Sequence, residues 1–389
     1  MICSRNSIIL ILLILVSGYA CQEEGSQSNG STSNPKLPSV EEEYDEAEIK
    51  WGYINKGGRV VIKATYDDCR GFKEGLAVVR KKSKWGFINR SGKEVIKPIF
   101  KAAWSFQDGL ARVLTFEQKM GFIDKTGNWV IPATHEEVQD FKEGLARVQI
   151  EGMFGYINTK GDLQISNKFK QAWRFENGLA KVKYRGKYGM IDTLGNFVIE
   201  AKYENISSLE SGLIRVKNND RFGYVNPKGK VIVPIKFKTA KDFYKAYAPA
   251  KLNDKFGLID KKGKFITDPL YNDIWLAGED NWGVALDGKY GLFRYDGEAL
   301  TEIRFDQLYS FVEGRIGYQR GGLWGYLDTE GKPITPPQFG LIWDFKEGFA
   351  RVAMREGIGF INKKGKLTIP PQYFDVRDFS EGLARVQIY

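Results

Sequence analysis

The sequence predicts an all-β chain of ten tandem units of about 34 residues, each a three-stranded antiparallel β-meander, assembled in a propeller-like way. An open β-solenoid or superhelix is the alternative assembly. Three observations carry this reading. A large apolar residue followed by glycine recurs at Trp51, Trp85, Met120, Phe154, Tyr188, Phe222, Phe256, Tyr290, Trp324 and Ile358, a spacing of 34 residues with a single 35. Seven residues after each stands a glycine, from Gly58 and Gly92 to Gly331 and Gly365. The 43 glycines and 14% aromatic residues in 389 suit frequent tight turns and a sheet-built core better than helices.

The N-terminus reads differently. Arg5 precedes the apolar run Ile8–Val16, and Gly18-Tyr19-Ala20 offers small residues for cleavage, so residues 1–20 are expected to be an export signal. Nine apolar residues are too few to span a bilayer. Cys21 follows directly and resembles the acylated cysteine of a bacterial lipoprotein signal, although Gly18 stands where leucine is usual; a secreted protein is the alternative. The acidic "QEE" after Cys21 resembles a surface-export tag of some lipoproteins. Residues 21–43 are dominated by Ser, Asn, Gly, Gln and Pro and read as a lipidated end and flexible tether, leaving 44–389 as the folded domain. Cys69 is then the one cysteine inside that domain, so no intrachain disulfide framework is expected.

Within a unit, positions are counted from the large apolar residue as 0. "WGFIN" at 85–89 is apolar on both parities and predicts a strand buried on both faces. Asn or Asp at +4 (for example Asn55, Asn89, Asp124) with glycine at +7 predicts the turn that follows; Arg294 is the exception. "EVIKP" gives a second strand, ending near a proline. "GLARVL" at 109–114 gives a third, with Ala111 and Val113 expected inward and Leu110 and Arg112 outward. Aromatic residues at +15 (Tyr66, Phe100, Phe169) and +21 (Phe72, Phe106, Phe141) are expected to wedge between stacked sheets, each contributing about 1.5–3 kcal/mol by burial.

The pattern W-G-[FY]-I-[ND]-x-x-G-K with a later [ED]-G-L-A-x-V resembles the WG (tryptophan-glycine) repeat family of bacterial proteins, over residues 51–389. That resemblance implies a binding or scaffolding role for an exported protein and supplies no catalytic residue. The chain opens on a WG strand and closes on "EGLARVQIY", complementary ends that would zip a ring shut. Copies seven and eight drift from the pattern, at Lys245–Ala248, Asn281–Ala285 and after Arg315, marking either a ligand site or relaxed packing.

Charge and inventory narrow the function. Loss of residues 1–20 removes Arg5 and no acid, so the basic surplus falls from ten to nine. Position +27 is basic in six copies, at Arg112, Arg147, Lys181, Arg215, Arg351 and Arg385, and stacking would align them as a stripe for an acidic polymer or glycan, or a protein partner. The competing expectation pairs them with acids at +23 (Glu74, Asp108, Glu143, Glu279, Glu313, Glu347, Glu381), which would leave little free field. Export makes nucleic acid an improbable partner, and the membrane would be met through the lipid alone. His135, the single histidine, occupies the +15 aromatic slot, which argues against histidine triads and zinc clusters. No cofactor or metal site is expected. Asp67-Asp68 and Glu136-Glu137 are the carboxylate pairs a hydrolase would need, yet neighbours on a strand face opposite ways. The expected function is therefore a non-catalytic envelope-bound binding module or scaffold, with a structural spacer or a carboxylate hydrolase as alternatives.

Overall fold

The hairpin that organises each sheet turns on two residues. Lys82 and Ser83 lie between strands Leu76–Lys81 and Lys84–Asn89, both with positive φ (50° and 63°), the geometry that matches the twist of paired strands. In the computed structural model, which describes residues 49–388, the register across this hairpin runs unbroken from Leu76↔Asn89 to Lys81↔Lys84. The expected signal at 1–20, Cys21, the tether and the first residues of the domain lie outside the described residues.

Strand Glu94–Phe100 adds to the WG strand through two bulges, and the short strand Asp68–Cys69 adds to the other side. The bulges follow from the glycine of the WG pair. A Cβ on Gly86 would lie 2.5 Å from the carbonyl oxygen of Ile96, so the edge strand crosses where only glycine fits. After Phe100 a single residue, Lys101, separates the chain from Ala102–Ala103, the short strand of the next sheet.

Ten such antiparallel sheets form a ring, eight with four strands and two with three. The all-β, propeller-like reading holds, with two refinements. Each regular sheet has a fourth strand, only two residues long in most copies. Each sheet also takes its "GLAxV" strand from one repeat and its WG strand from the next, because the tight turn joins those two. The last sheet closes the ring: strands Val376–Ser380 and Leu383–Ile388 come from the C-terminus, Lys50–Asn55 and Val60–Tyr66 from the N-terminus. Leu383–Ile388 pairs with Lys50–Asn55 residue for residue, which excludes the open superhelix.

The core is divided into seams between consecutive sheets. One seam joins Leu76, Val78, Phe87, Ile96 and Phe100 of one sheet to Ala103, Phe106, Ala111 and Val113 of the next. The aromatic at +21 stacks against the aromatic at +2 across the seam, as in Tyr53–Phe72, Phe87–Phe106, Tyr156–Phe175 and Tyr326–Phe345, with ring centroids 4.9–5.1 Å apart. Where +2 is tyrosine its hydroxyl donates to the +19 carbonyl, Tyr156 to Trp173 at 2.6 Å and Tyr326 to Trp343 at 2.7 Å. The wedge expected at +21 is thus present, and its partner is the WG strand.

Candidate functional site

Because both faces of the "GLAxV" strand lie in seams, position +27 points at the following sheet. This corrects the outward orientation expected for Arg112, which is buried, as is Arg351. The guanidinium of Arg112 donates to the Val138 carbonyl at 2.5 Å, Arg147 to Ala172 at 2.6 Å and Arg351 to Val376 at 2.9 Å. Arg215 donates likewise to the Ala240 carbonyl, and Arg385 to that of Cys69 across the ring closure. Each of these carbonyls belongs to the short strand of the next sheet. Burial holds the Arg112 and Arg351 guanidinium pKa values below normal, an effect their carboxylate neighbours oppose.

The acids that pair with this row are mostly at +20 of the next repeat: Arg112 with Asp140 at 3.2 Å, Arg215 with Asp242 at 3.1 Å and Arg351 with Asp378 at 2.6 Å. Arg147 instead pairs with Glu137 at 3.2 Å. The pairing expected with the +23 acids is therefore replaced. Those acids accept hydrogen bonds from turn N–H groups of the following sheet: Glu143 from Asn177 and Gly178 at 2.8 and 2.9 Å, Glu313 from Glu347 and Gly348 at 2.7 and 2.9 Å. Glu381 caps Gly75 across the closure at 3.0 Å. Position +23 itself has positive φ, 53° at Glu74, so its side chain projects from a tight turn toward its neighbour.

Lys181 breaks the pattern. Its ammonium donates to the Asn205 side-chain oxygen at 2.9 Å and sits 4.6 Å from the ring centroids of both Trp173 and Tyr188. Among the described residues no carboxylate lies within ion-pairing distance of it. Burial, and then the neighbouring Arg215, lower its pKa from the normal lysine value. Lys181 stands in a cleft of about 620 Å³ shared by repeats three to five, with Trp173, Arg174, Asn205, Ser207 and Arg215 among its walls. Trp173 is 38% exposed there.

The cleft coincides with a local change of sequence. Repeat five has Met190 at +2 and Leu209 at +21, where seven copies stack two aromatic rings, and Ile214 at +26 where alanine is usual. The segment that in most copies bends after two strand residues here continues as strand Asn205–Glu210. Ser207 and Ser208 thereby line the cleft.

A family model described as "WG containing repeat" matches ten consecutive segments, from 51–85 and 85–115 to 324–356 and 358–389. The chain belongs to the WG-repeat family. A comparison with curated proteins finds no match. Among solved structures, a eukaryotic initiation factor is similar at 11% identity, with 82% of this chain and 94% of that one covered and a TM-score of 0.46. BamB from Moraxella catarrhalis aligns at 12% identity over 84% and 97% of the two chains, with a TM-score of 0.36. The computationally designed Ika8 protein aligns at 12% identity over 75% and 96%, with a TM-score of 0.37. Similarity at this level carries nothing about ligand or partner.

In this WG-repeat ring the drift of copies seven and eight is a change of packing, Ala277 joining the seam of Leu292 and Phe311 and Trp282 that of Phe256 and Ile274. Ala277 stands at +21 and Trp282 at +26, the reverse of the usual large and small residues, and both are buried. Their outer strands shrink to isolated bridges such as Phe256↔Tyr271 and Tyr290↔Phe305. A smaller cavity of about 290 Å³ lies beside Glu279, Asp280, Arg294 and Glu330. Its charges are engaged: Arg294 with Glu330 at 3.0 Å, Asp280 with Lys245 at 2.6 Å, and Glu279 with the Gly314 N–H. The carboxylate pairs named from sequence are likewise engaged separately, Asp67 by Lys50 at 2.7 Å and Glu136 by Lys119 at 3.5 Å. His135 takes the strand position opposite Met120 that Phe100 takes opposite Trp85, and burial lowers its pKa. Sequence reasoning marked copies seven and eight and passed over repeat five, although its missing +21 aromatic and lysine in place of arginine at +27 of repeat four were visible signals.

Proposed function

We propose that this WG-repeat ring is a non-catalytic binding module or scaffold of the cell envelope, exported, held to the membrane by a lipid on Cys21, and presenting its surface to a polymer or protein partner. The observation that carries the reading is the division of labour at +27. The arginines at this position serve the seams, while Lys181 keeps a charge without a carboxylate partner, beside an exposed tryptophan in an open cleft. Such a site holds a ligand by charge and stacking. It requires no nucleophile or proton shuttle.

Two measurements on the bacterially expressed full chain test it. Metabolic labelling with a fatty-acid analogue, followed by membrane fractionation, is expected to give a labelled, membrane-bound protein, with both properties lost in Cys21→Ala. An unlabelled wild type recovered wholly in the soluble fraction contradicts the anchor. Capture of envelope polymer by the wild type is expected to weaken as salt rises from about 0.1 M to 1 M, where the screening length falls from about 10 to 3 Å. Capture unaffected by salt contradicts the cationic basis.

A further inference from the structure

The cleft shared by repeats three to five is chemically specific enough to name the class of ligand it takes. We infer that it binds a carboxylate-bearing sugar unit of an acidic glycan, with the Lys181 ammonium on the carboxylate and the Trp173 indole against the face of the sugar ring. The inference rests on the binding-module reading and deepens it.

Charge accounting within the cleft sets the ligand's charge. Arg147 is neutralised by Glu137, Arg174 by Glu176 at 2.6 Å, Arg215 by Asp242, and Asp140 by Arg112. Lys181 and Lys142 remain without a carboxylate partner among the described residues, and of these Lys181 is the one held over the aromatic floor. One fixed ammonium suits a single negative charge. The forked donors a phosphate would use are already spent, since Arg147 and Arg215 each direct one guanidinium nitrogen to a backbone carbonyl and another to an acid. A carboxylate fits that capacity better than a dianion.

The remaining walls suit hydroxyl groups. Lys181 and the Ile206 N–H hold the Asn205 oxygen, which leaves its amide nitrogen to donate, and the Gln139 nitrogen donates to Glu137, which leaves its oxygen to accept, so the two amides and the Ser208 hydroxyl offer both donors and acceptors to sugar hydroxyls. Trp173 supplies the apolar surface: of the three +19 tryptophans that lie against a +27 cation it is the exposed one, Trp104 beneath Arg112 at 4.1 Å and Trp343 beneath Arg351 at 4.5 Å being half-buried. A volume of about 620 Å³, open to solvent, accommodates one or two sugar rings with the chain running out on either side.

The test is calorimetric titration of the full chain with short oligogalacturonates, in parallel with the same oligomers fully methyl-esterified and with inorganic phosphate. Saturable binding of the acid form is expected, weaker by about tenfold or more for the ester and for phosphate. Lys181→Met and Trp173→Ala are each expected to weaken binding of the acid form by about tenfold. Lys363→Met, on a +5 turn far from the cleft residues in sequence, is expected to leave it unchanged. Both cleft variants leave the backbone bond from Trp173 N–H to the Lys181 carbonyl and the Tyr156 hydroxyl bond to the Trp173 carbonyl in place, and an unchanged thermal midpoint checks that they fold. Equal affinity for acid and ester, tighter binding of phosphate, undiminished binding by Lys181→Met, or no binding of the acid form overturns the assignment. Should the acid form fail while the chain still captures other envelope polymer in a salt-sensitive way, the ligand class falls and the binding-module reading stands; binding by a chain that never reaches the envelope gives the reverse.

Discussion

At the scale of the residue, glycine plays two roles that look alike in the sequence and differ in space. Gly86 lies under a crossing strand, with Ile96 O and Pro98 N at 2.5 and 2.6 Å from where a Cβ would stand. Gly109 at +24 has φ of +79° and nothing within 4 Å. Gly86→Ala is therefore expected to destabilise by about 3 kcal/mol, since backbone must move, and Gly109→Ala by about 1 kcal/mol, from the left-handed conformation alone. Chemical denaturation separates the two; equal costs would contradict the crossing-strand account. The seam arginines give a second residue-level expectation. Asp378→Asn leaves the buried Arg351 guanidinium without its 2.6 Å carboxylate and is expected to cost about 1–3 kcal/mol. The pair change Arg351→Met with Asp378→Asn is expected to cost less than Asp378→Asn alone, because the uncompensated charge is gone.

At the scale of the element, two expectations concern how neighbouring strands depend on one another. Ala277 and Trp282 exchange the sizes usual at +21 and +26. Trp282 packs with Phe256, Leu258, Ile274 and Val284, whereas Ala277 packs with Leu292, Phe305 and Phe311 in the next seam, so Trp282→Ala and Ala277→Phe are each expected to cost about 2–4 kcal/mol and the double change to cost their sum within about 0.5 kcal/mol. A coupling above about 1 kcal/mol between them would contradict that division into separate seams. The turn caps make stability depend on pH. Burial pushes the Glu313 and Glu347 carboxyls up, but turn N–H groups and Lys363 or Lys56 more than offset it, so both lie below the ordinary value of 4.5. Groups with a depressed folded pKa give stability that is complete above the unfolded value and lost as pH falls through the folded one. The thermal midpoint is thus expected to fall below about pH 4.5, and Glu347→Gln to flatten that fall while lowering the midpoint at neutral pH.

Much of this element-level structure was legible beforehand. The WG strand, its Asn-to-Gly turn and the +21 wedge follow from period, turn chemistry and aromatic spacing, and Asn89 caps its turn through the Ser91 and Lys93 N–H groups at 3.1 and 3.0 Å as that chemistry requires. The short strand was not legible, because two residues such as Ala102 and Ala103 carry no period. Nor was the destination of Arg112, since alternation assigns one face to solvent only when a sheet has a solvent face. The cleft escaped notice because it arises from what repeat five lacks, and absence of an aromatic registers only once the seam that needs it is known.

At the scale of the whole molecule, stability is a circular sum of seams, most of them repeating an aromatic pair and a turn cap and several an arginine to the next carbonyl. The ring closes by the same contacts it uses elsewhere: Arg385 to Cys69, Glu381 to Gly75, and Gly58 set against Ile369 at 3.4 Å. Burial at this junction pushes the Cys69 thiol up to about 11, which keeps it protonated and poorly reactive at neutral pH. Thiol reagents are accordingly expected to modify Cys69 only on unfolding. An open array would instead leave Lys50–Asn55 and Leu383–Ile388 as unpaired, fraying edges. Amide hydrogen exchange on the native chain distinguishes the two most directly. The closed ring predicts that amides of Lys50–Asn55 and Leu383–Ile388 exchange as slowly as those of the interior strand Lys84–Asn89, whereas fast exchange confined to both terminal strands would contradict closure and the seam architecture built on it.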